Sequence, residues 1–588
     1  MLLSIFKQVL RGSRSRRLAE RERIAAAQLQ HGRTLQDRGD VAGARAACEG
    51  VLSHDPAHPG AHCLLGALCG QEGDLDRALT HFTEAVRLAP ESEEANLGLG
   101  NVHRLRNAPE AAAASYRRAL AINADSPAAH YSLGLVLRHF GHFGAASEHL
   151  QRAFSLSPDL ADAAKECALC QIHLGAHEAA IAVLTEAIEG HPAAGELYAA
   201  LGFVYQKMHW PQRALECYEK ARSLGHADAE LYNNLGIVFQ DLGRVSEAFS
   251  CYEQAIELQN DFPLARFHRG LCRLLTGDYA RGWPEYEIRL LSEDNPRRPY
   301  AYPRWTGEPL TGRTILVWSE QGLGDEIMFA SCLPQIVGAA RRCVVECSPK
   351  LEALFRRSFP GPRIYAAEPD RSIPEAIKVE AIDCETQIGS LPLYLRRSAQ
   401  DFPRHAGYLR ADPERIAMWR ERLSSLGSGL KVGVSWQGGT HLTRSPLRSI
   451  PLSQWLPIFN ADDACFISLQ YGDSAAALHE LASQHGKHVA HWQEAIDDYD
   501  ETAALVSALD LVISVQTAVV HLTGALGKPA WVMVSYCPEW RYGFAGEGMP
   551  WYPSVRVFRQ SSFGEWGPVI ATAARELHEL ERRAGTSS

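Results

Sequence analysis

A single period runs through the first half of this sequence. Gly32, Gly66, Gly100, Gly134, Gly202, Gly236 and Gly270 fall on one 34-residue grid, and Ala168 fills the position where glycine is missing. A second grid, twelve residues later, reads Ala44, Ala78, Ala112, Ala146, Ala180, Ala214, Ala248 and Gly282. A third, four further on, reads Phe82, Tyr116, Leu150, Leu184, Tyr218, Tyr252 and Tyr286. A fixed period of this length restricts the chain to stacked supersecondary units, because one unit cannot bury its own apolar face and must lean on its neighbours. The grid stops near residue 290, and a different kind of sequence begins there.

The period and its residue types resemble tetratricopeptide repeats. Each unit is then a pair of antiparallel helices. The Gly/Ala grids sit where the first helix crosses the second, since only a small side chain lets the backbones approach, and the third grid fills the gap beside them. Pro56, Pro90, Pro158 and Pro192 mark the ends of second helices, where a residue that cannot continue a helix is useful. Stacked units form a superhelix whose groove holds an extended peptide or a protein surface. Candidate groove residues are the polar ones on the first helices: Asn96, Asn101, His130, Asn233 and Asn234. The Asn233-Asn234 pair offers donor and acceptor together to a peptide backbone.

Charge and cysteine usage narrow the function classes. Lys and Arg number 59 against 69 Asp and Glu, a net charge of −10, which argues against a general nucleic-acid or membrane-surface binder. Residues 7–23 are locally basic, and the apolar start Met1 to Phe6 is too short for a signal-peptide core or a membrane span. The fourteen cysteines form no framework, as expected of a reducing cytoplasm. The lone Cys167/Cys170 pair reads as packing. No HExxH, GxSxG, Walker loop or EF-hand is present, and no metal site is expected.

The expected organisation is a basic helix at 1–24, a repeat superhelix at 25–292, a Pro- and Arg-rich linker at 293–312, one α/β half at 313–411, a second at 412–560, and a C-terminal helix and tail at 561–588. Beyond the linker, apolar runs alternate with amphipathic segments, the mark of a parallel sheet. Strands are expected at Thr314–Trp318, Cys343–Cys347 and Arg363–Ala367 in the first half. In the second they are expected at Lys431–Ser435, Ala464–Leu469, Asp510–Ser514 and Pro529–Val534. Helices are expected near Glu326–Ala340, Lys350–Ser358, Asp412–Leu426 and Ala518–Leu526. Two doubly wound halves leave a cleft at the carboxyl ends of their strands, where ligands bind.

Three segments face that cleft on this reading. In Ser319-Glu-Gln321-Gly322-Leu-Gly324-Asp325, the glycines allow a tight turn and close approach of a ligand, and Asp325 stands at a helix N-terminus. The second segment carries Gln437, a Gly-Gly turn, Thr440, Arg444 and Arg448, and an arginine fork suits a phosphate. In the third, Ser514 to His521, Thr517 is placed to cap a helix whose free N–H groups suit an anion. His521 lies one turn along, within reach of a ribose or phosphate.

Residues 270–290, together with Ile315–Glu326 and Ser514–His521, resemble bacterial proteins that fuse tetratricopeptide repeats to a GT-B glycosyltransferase domain with a heptosyltransferase-like catalytic half. The layout is also similar to protein O-GlcNAc transferases. It is closest in plan to soluble bacterial transferases that decorate flagellin with a nonulosonic acid such as pseudaminic acid. The resemblance implies an α-solenoid followed by an α/β GT-B fold with two Rossmann-like halves. It also implies a metal-independent, cytoplasmic protein O-glycosyltransferase with flagellin as acceptor in the repeat groove and a CMP- or UDP-linked sugar as co-substrate. It makes Asp325 the general base, Arg448 the phosphate-gripping residue, and Gln516, Thr517, His521, Thr440 and Gln437 the donor side, with Gln321, Gly322 and Gly324 forming the acceptor-side loop. Gln516 departs from the family, which carries Asp there; a neutral amide suits an acidic donor better, because it removes a like charge. The alternatives are a repeat scaffold whose transferase half is inactive, and an O-GlcNAc-like or heptosyltransferase-like enzyme.

Overall fold

A computed structural model of the chain describes residues 22–291, 298, 300–439 and 444–585. Most of the N-terminal basic segment, and Thr440 and His441, lie outside these residues. The chain forms two compact units, 1–226 and 227–588.

The first unit is helical throughout its described length, a solenoid of antiparallel helix pairs. Its helices run over 22–37, Val41–His54, Pro59–Gln71, Leu75–Leu88, Glu93–Leu105, Pro109–Ile122, Pro127–His139, Phe143–Leu156, Ala161–His173, His177–Gly190, Gly195–Lys207 and Pro211–Ser223. The grids have the physical meaning the period implied. A Cβ added at Gly66 would lie 2.8 Å from the Phe82 ring, at Gly100 2.5 Å from Tyr116, at Gly134 2.6 Å from Leu150, and at Gly202 2.7 Å from Tyr218. Each of these four glycines is therefore the floor on which the side chain sixteen positions later lies. Pro56, Pro90, Pro158 and Pro192 each follow the end of a second helix, as expected.

The second unit begins with further helix pairs, Ala229–Asp241 with Val245–Leu258 and Pro263–Leu275 with Tyr279–Tyr286. The last of these helices is keyed into the α/β region by Trp283. Its indole Nε1 donates to the Arg396 carbonyl at 2.7 Å, and its ring stands edge-on to Trp540 at 5.4 Å and Trp551 at 6.3 Å.

Two sheets follow. The first orders its strands β3-β2-β1-β4, with β1 Thr314–Trp318, β2 Arg342–Cys347, β3 Arg363–Ala366 and β4 Cys384–Gln387, all parallel. The second orders β10-β11-β9-β8-β5-β6-β7, with β5 Leu430–Ser435, β6 Ala464–Ser468, β7 Val489–Ala490, β8 Leu511–Val515, β9 Ala530–Val534, β10 Gly548–Met549 and β11 Tyr552–Arg559. It is parallel except where β10 meets β11. The fold class is the one the sequence implied: a helical solenoid, then α/β structure built on parallel sheets.

Several details differ from expectation, including the short strands β7 and β10. The single helix expected over Glu326–Ala340 is two, Leu323–Ala330 and Leu333–Ala339, with Pro334 opening the second. Strand β4 escaped notice because Cys-Glu-Thr-Gln is short and polar; it is buried all the same, its Glu385 carboxylate accepting from the Trp318 indole. Strand β11 was hidden by Pro553 and two arginines in an otherwise apolar run.

Candidate functional site

The carboxyl ends of β1, β5, β8 and β9 release four loops toward one cavity of about 900 Å³ within the second unit. Its lining includes Glu320 and Gln321 after β1, Arg444 and Arg448 after β5, Gln516 after β8, and Ser535 to Arg541 after β9. The closing wall is apolar and comes from the last repeat helices: Pro263, Leu264, Phe267 and Leu271. This is where an open α/β sheet places a ligand, because adjacent loops diverge there.

The sequence-expected base is tied into a chain of charges. Asp325 lies in the first turn of Leu323–Ala330, and its Oδ1 accepts from Arg541 Nε at 2.5 Å. Arg541 Nη1 bonds Glu539 Oε2 at 3.0 Å, and the other Glu539 oxygen accepts from Arg448. Burial disfavours a charge on Arg541, but Asp325 and Glu539 outweigh it and hold the guanidinium above its ordinary range. Asp325 itself does not line the cavity; its partner Arg541 does. Asp325 and Arg448, named from separate segments, are thus joined through two residues that sequence reasoning missed.

Gln516 is 2% exposed and lines the cavity. Its Oε1 accepts from the Ser535 hydroxyl at 3.4 Å, while its Nε2 has no hydrogen-bond partner among the described residues. A buried amide donor left unmade costs about 1–3 kcal/mol, so this N–H₂ points to an acceptor that a ligand would bring.

Several expected donor-side residues are used by the protein itself. Thr517 occupies the N-cap of Ala518–Ala525 but does not cap it; its hydroxyl pairs with that of Ser514 at 3.0 Å. His521 is buried and does not line the cavity. It hydrogen-bonds the Tyr552 hydroxyl at 3.3 Å, and burial pushes its pKa down to about 3, so it is neutral. Gln437 is exposed and sits beside a smaller cavity of about 230 Å³ with Pro451 and His485. Gly324 serves packing: a Cβ there would lie 3.1 Å from the His521 ring and 3.3 Å from Ala518 Cα, so the glycine lets Leu323–Ala330 approach Ala518–Ala525. Gly322 is that helix's N-cap, and Gln321 exchanges hydrogen bonds with the Tyr286 hydroxyl at 2.8 and 3.0 Å.

Of the remaining cavity charges, Arg444 stands in the second expected segment, whereas Arg289 was not expected there. Arg289 bonds Glu320 at 3.1 Å and Glu287 at 2.5 Å, and these carboxylates outweigh burial to keep it firmly charged. Arg444 pairs with Asp241 of a repeat helix. Four arginines and two glutamates line the cavity. Spacing held no signal for them; the only cue was the density of arginine and glutamate flanking the two conspicuous loops.

The expected groove residues are largely occupied within the solenoid. Asn96 is fully buried, its Nδ2 donating to the carbonyls of Pro90 at 3.1 Å and Ser92 at 2.9 Å. Asn101 accepts from the Tyr116 hydroxyl at 2.8 Å, and His130 pairs with His149 at 2.8 Å. Asn233 is buried and bonds His268 at 2.8 Å and the neighbouring Asn234 at 3.4 Å. Asn233 is therefore an interhelix fastener, while Asn96 ties the start of its own helix to the turn before it. No group of three or more metal-ligating side chains occurs among the described residues, and no described helix is long and apolar enough to cross a membrane.

Residues 70–129, 131–195 and 194–261 match the tetratricopeptide repeat family, and repeats of this kind bind protein partners. The chain is 33% identical over 336 residues to Protein FlbA of Caulobacter vibrioides, a stretch that makes up 54% of this chain and 56% of FlbA. It thus spans about half the length of the curated relative it matches. Among solved structures it is similar to a tetratricopeptide repeat protein from Parabacteroides merdae, at 18% identity over 42% of this chain and 99% of that one, with a TM-score of 0.34. A thermophilic repeat protein of Thermus thermophilus is 23% identical over 31% of this chain and 100% of that one, with a TM-score of 0.28.

Proposed function

We propose that the chain is a protein O-glycosyltransferase that moves a sugar, such as pseudaminic acid, from a nucleotide-linked donor to Ser or Thr of a protein held by the repeats, with flagellin as the acceptor. The observation that carries this reading is the convergence of strand-end loops from both α/β halves on one arginine-rich cavity, with Asp325 and Arg448 joined across it through Arg541 and Glu539. Donor phosphate would compete with Glu539 for Arg448, because a phosphate offers more acceptor oxygens to a guanidinium fork. Glu539, released, would draw Arg541 toward itself and off Asp325. Asp325 could then take the proton of the acceptor hydroxyl as that oxygen attacks the anomeric carbon, while Arg448 neutralises the departing phosphate. The Gln516 amide would meet the sugar, and its neutrality suits a carboxylate-bearing donor.

One observation favours a second reading, a repeat scaffold without activity: the two arginines needed by a donor are already satisfied by Glu539 and Asp325. Calorimetry on the full chain with CMP-linked nonulosonic acid and UDP-linked N-acetylglucosamine separates the readings, paired with intact mass of flagellin from wild-type and deletion cells. Binding of the acidic donor and a lost mass increment in the deletion support the transferase. Binding of the neutral donor alone moves the reading to an O-GlcNAc-like activity. Binding of neither, with unchanged flagellin mass, leaves the scaffold.

A further inference from the structure

The first unit repeats a pairing of histidines that the proposed transfer does not use. His62 on Pro59–Gln71 faces His81 on Leu75–Leu88, Nδ1 to Nδ1 at 3.1 Å. Two repeats later His130 on Pro127–His139 faces His149 on Phe143–Leu156 at 2.8 Å. The two pairs are built alike: ring centroids lie 5.4 and 5.1 Å apart, with interplanar angles of 39° and 38°. In each, the first histidine's Nε2 faces a backbone carbonyl, that of Pro56 at 3.1 Å or of Ala124 at 3.0 Å. A carbonyl only accepts, so Nε2 carries the proton and the Nδ1 lone pair is directed at the partner ring.

The geometry points to two equivalent metal sites, each holding one late first-row divalent cation between a pair of imidazoles. A metal-bound histidine typically donates its other ring N–H to a backbone carbonyl, which fixes tautomer and orientation, and His62 and His130 are already so held. Two nitrogens bound at about 2.0–2.1 Å and at right angles are about 2.9 Å apart, the separation found in both pairs. For an ion to enter, His81 and His149 move their single proton from Nδ1 to Nε2, and the rings turn slightly so that both lone pairs meet on the metal. Among the described residues no third ligating side chain joins either pair, so the remaining positions belong to water. Imidazole suits Zn²⁺, Ni²⁺ and Cu²⁺, with Cu²⁺ tightest. The bound ion clamps the first helix of a repeat to the second.

Copper titration of the tag-free full chain tests this, with His81→Ala, His149→Ala and the double variant alongside. The expected result is two tight Cu²⁺ per chain, one in each single variant, none in the double variant, and an electron paramagnetic resonance spectrum with two nitrogen couplings per copper. Equal copper uptake by wild type and double variant, or no tight uptake by wild type, overturns the proposal. Should a variant misfold, X-ray absorption of the copper-loaded wild type decides, and fewer than two imidazoles per ion overturns it.

Discussion

Arg541→Met tests whether the charge ladder is part of the fold. Methionine keeps the aliphatic length of the side chain and removes the guanidinium. Two carboxylates then lose their shared partner: Asp325, bonded at 2.5 Å and 20% exposed, and Glu539, bonded at 3.0 Å and 30% exposed. Removing one partner of a buried pair costs about 3–5 kcal/mol. The residual hydration of both carboxylates places this case at the lower end, and the lost stacking of the guanidinium on Trp540, 4.8 Å from the ring centre, adds about 0.5–1 kcal/mol. The expected loss is therefore about 3 kcal/mol. Every tryptophan but Trp210 lies in the second unit, so tryptophan fluorescence in a urea titration follows that unit. If the penalty is uncompensated charge, adding Asp325→Asn to Arg541→Met recovers more than half of it. Adding Glu539→Gln recovers less, because Glu539 keeps Arg448. A loss below about 0.5 kcal/mol, the size of an ordinary surface change, refutes the reasoning, as does a full loss that Asp325→Asn does not relieve.

Other outcomes follow from particular contacts. Gly236→Ala would bring a Cβ to 2.4 Å from the Tyr252 ring, and overpacking there should cost about 1–3 kcal/mol in thermal or urea unfolding; a neutral result would deny the grid its packing role. Glu326 is buried, and burial pushes its pKa up to about 8 from an ordinary 4.5. A carboxyl with a raised folded pKa stabilises most below its unfolded pKa and loses that stability as pH rises through the folded one. Glu326→Gln should therefore gain on wild type progressively between pH 4.5 and 8 in unfolding titrations, and a pH-independent difference would contradict this. Asp325→Asn should lower transfer by about 10²–10⁴-fold with acceptor binding intact, measured by mass of the acceptor protein, and wild-type turnover would leave Asp325 a structural partner of Arg541. Gln516→Asp should weaken an acidic donor by roughly tenfold or more, since a like charge a few ångströms away costs on the order of a few kcal/mol; unchanged calorimetric affinity would remove Gln516 from the sugar site.

The solenoid was legible in the sequence because its rule is local. A grid glycine and the side chain sixteen residues later belong to one helix pair, and the same contact recurs at Gly66, Gly100, Gly134, Gly202 and Gly236. The parallel strands were legible where burial on both faces demands an unbroken apolar run, as in β1 and β8, and not where a buried strand carries polar residues with partners elsewhere, as in β4. Loops at strand ends followed from topology, so Arg448, Gln516 and the Asp325 turn were found. Their roles were another matter. Asp325 meets Arg541 from 216 residues away, and Arg448 meets Glu539 from 91. His521, Gly324 and Asn96 look like ligand-reaching residues by type and position, yet burial turns them into packing and fasteners. Spacing along a chain encodes which residues share a helix face. Which charge neutralises which is settled only when distant loops are brought to one cavity, where an arginine takes the nearest carboxylates that burial leaves without water.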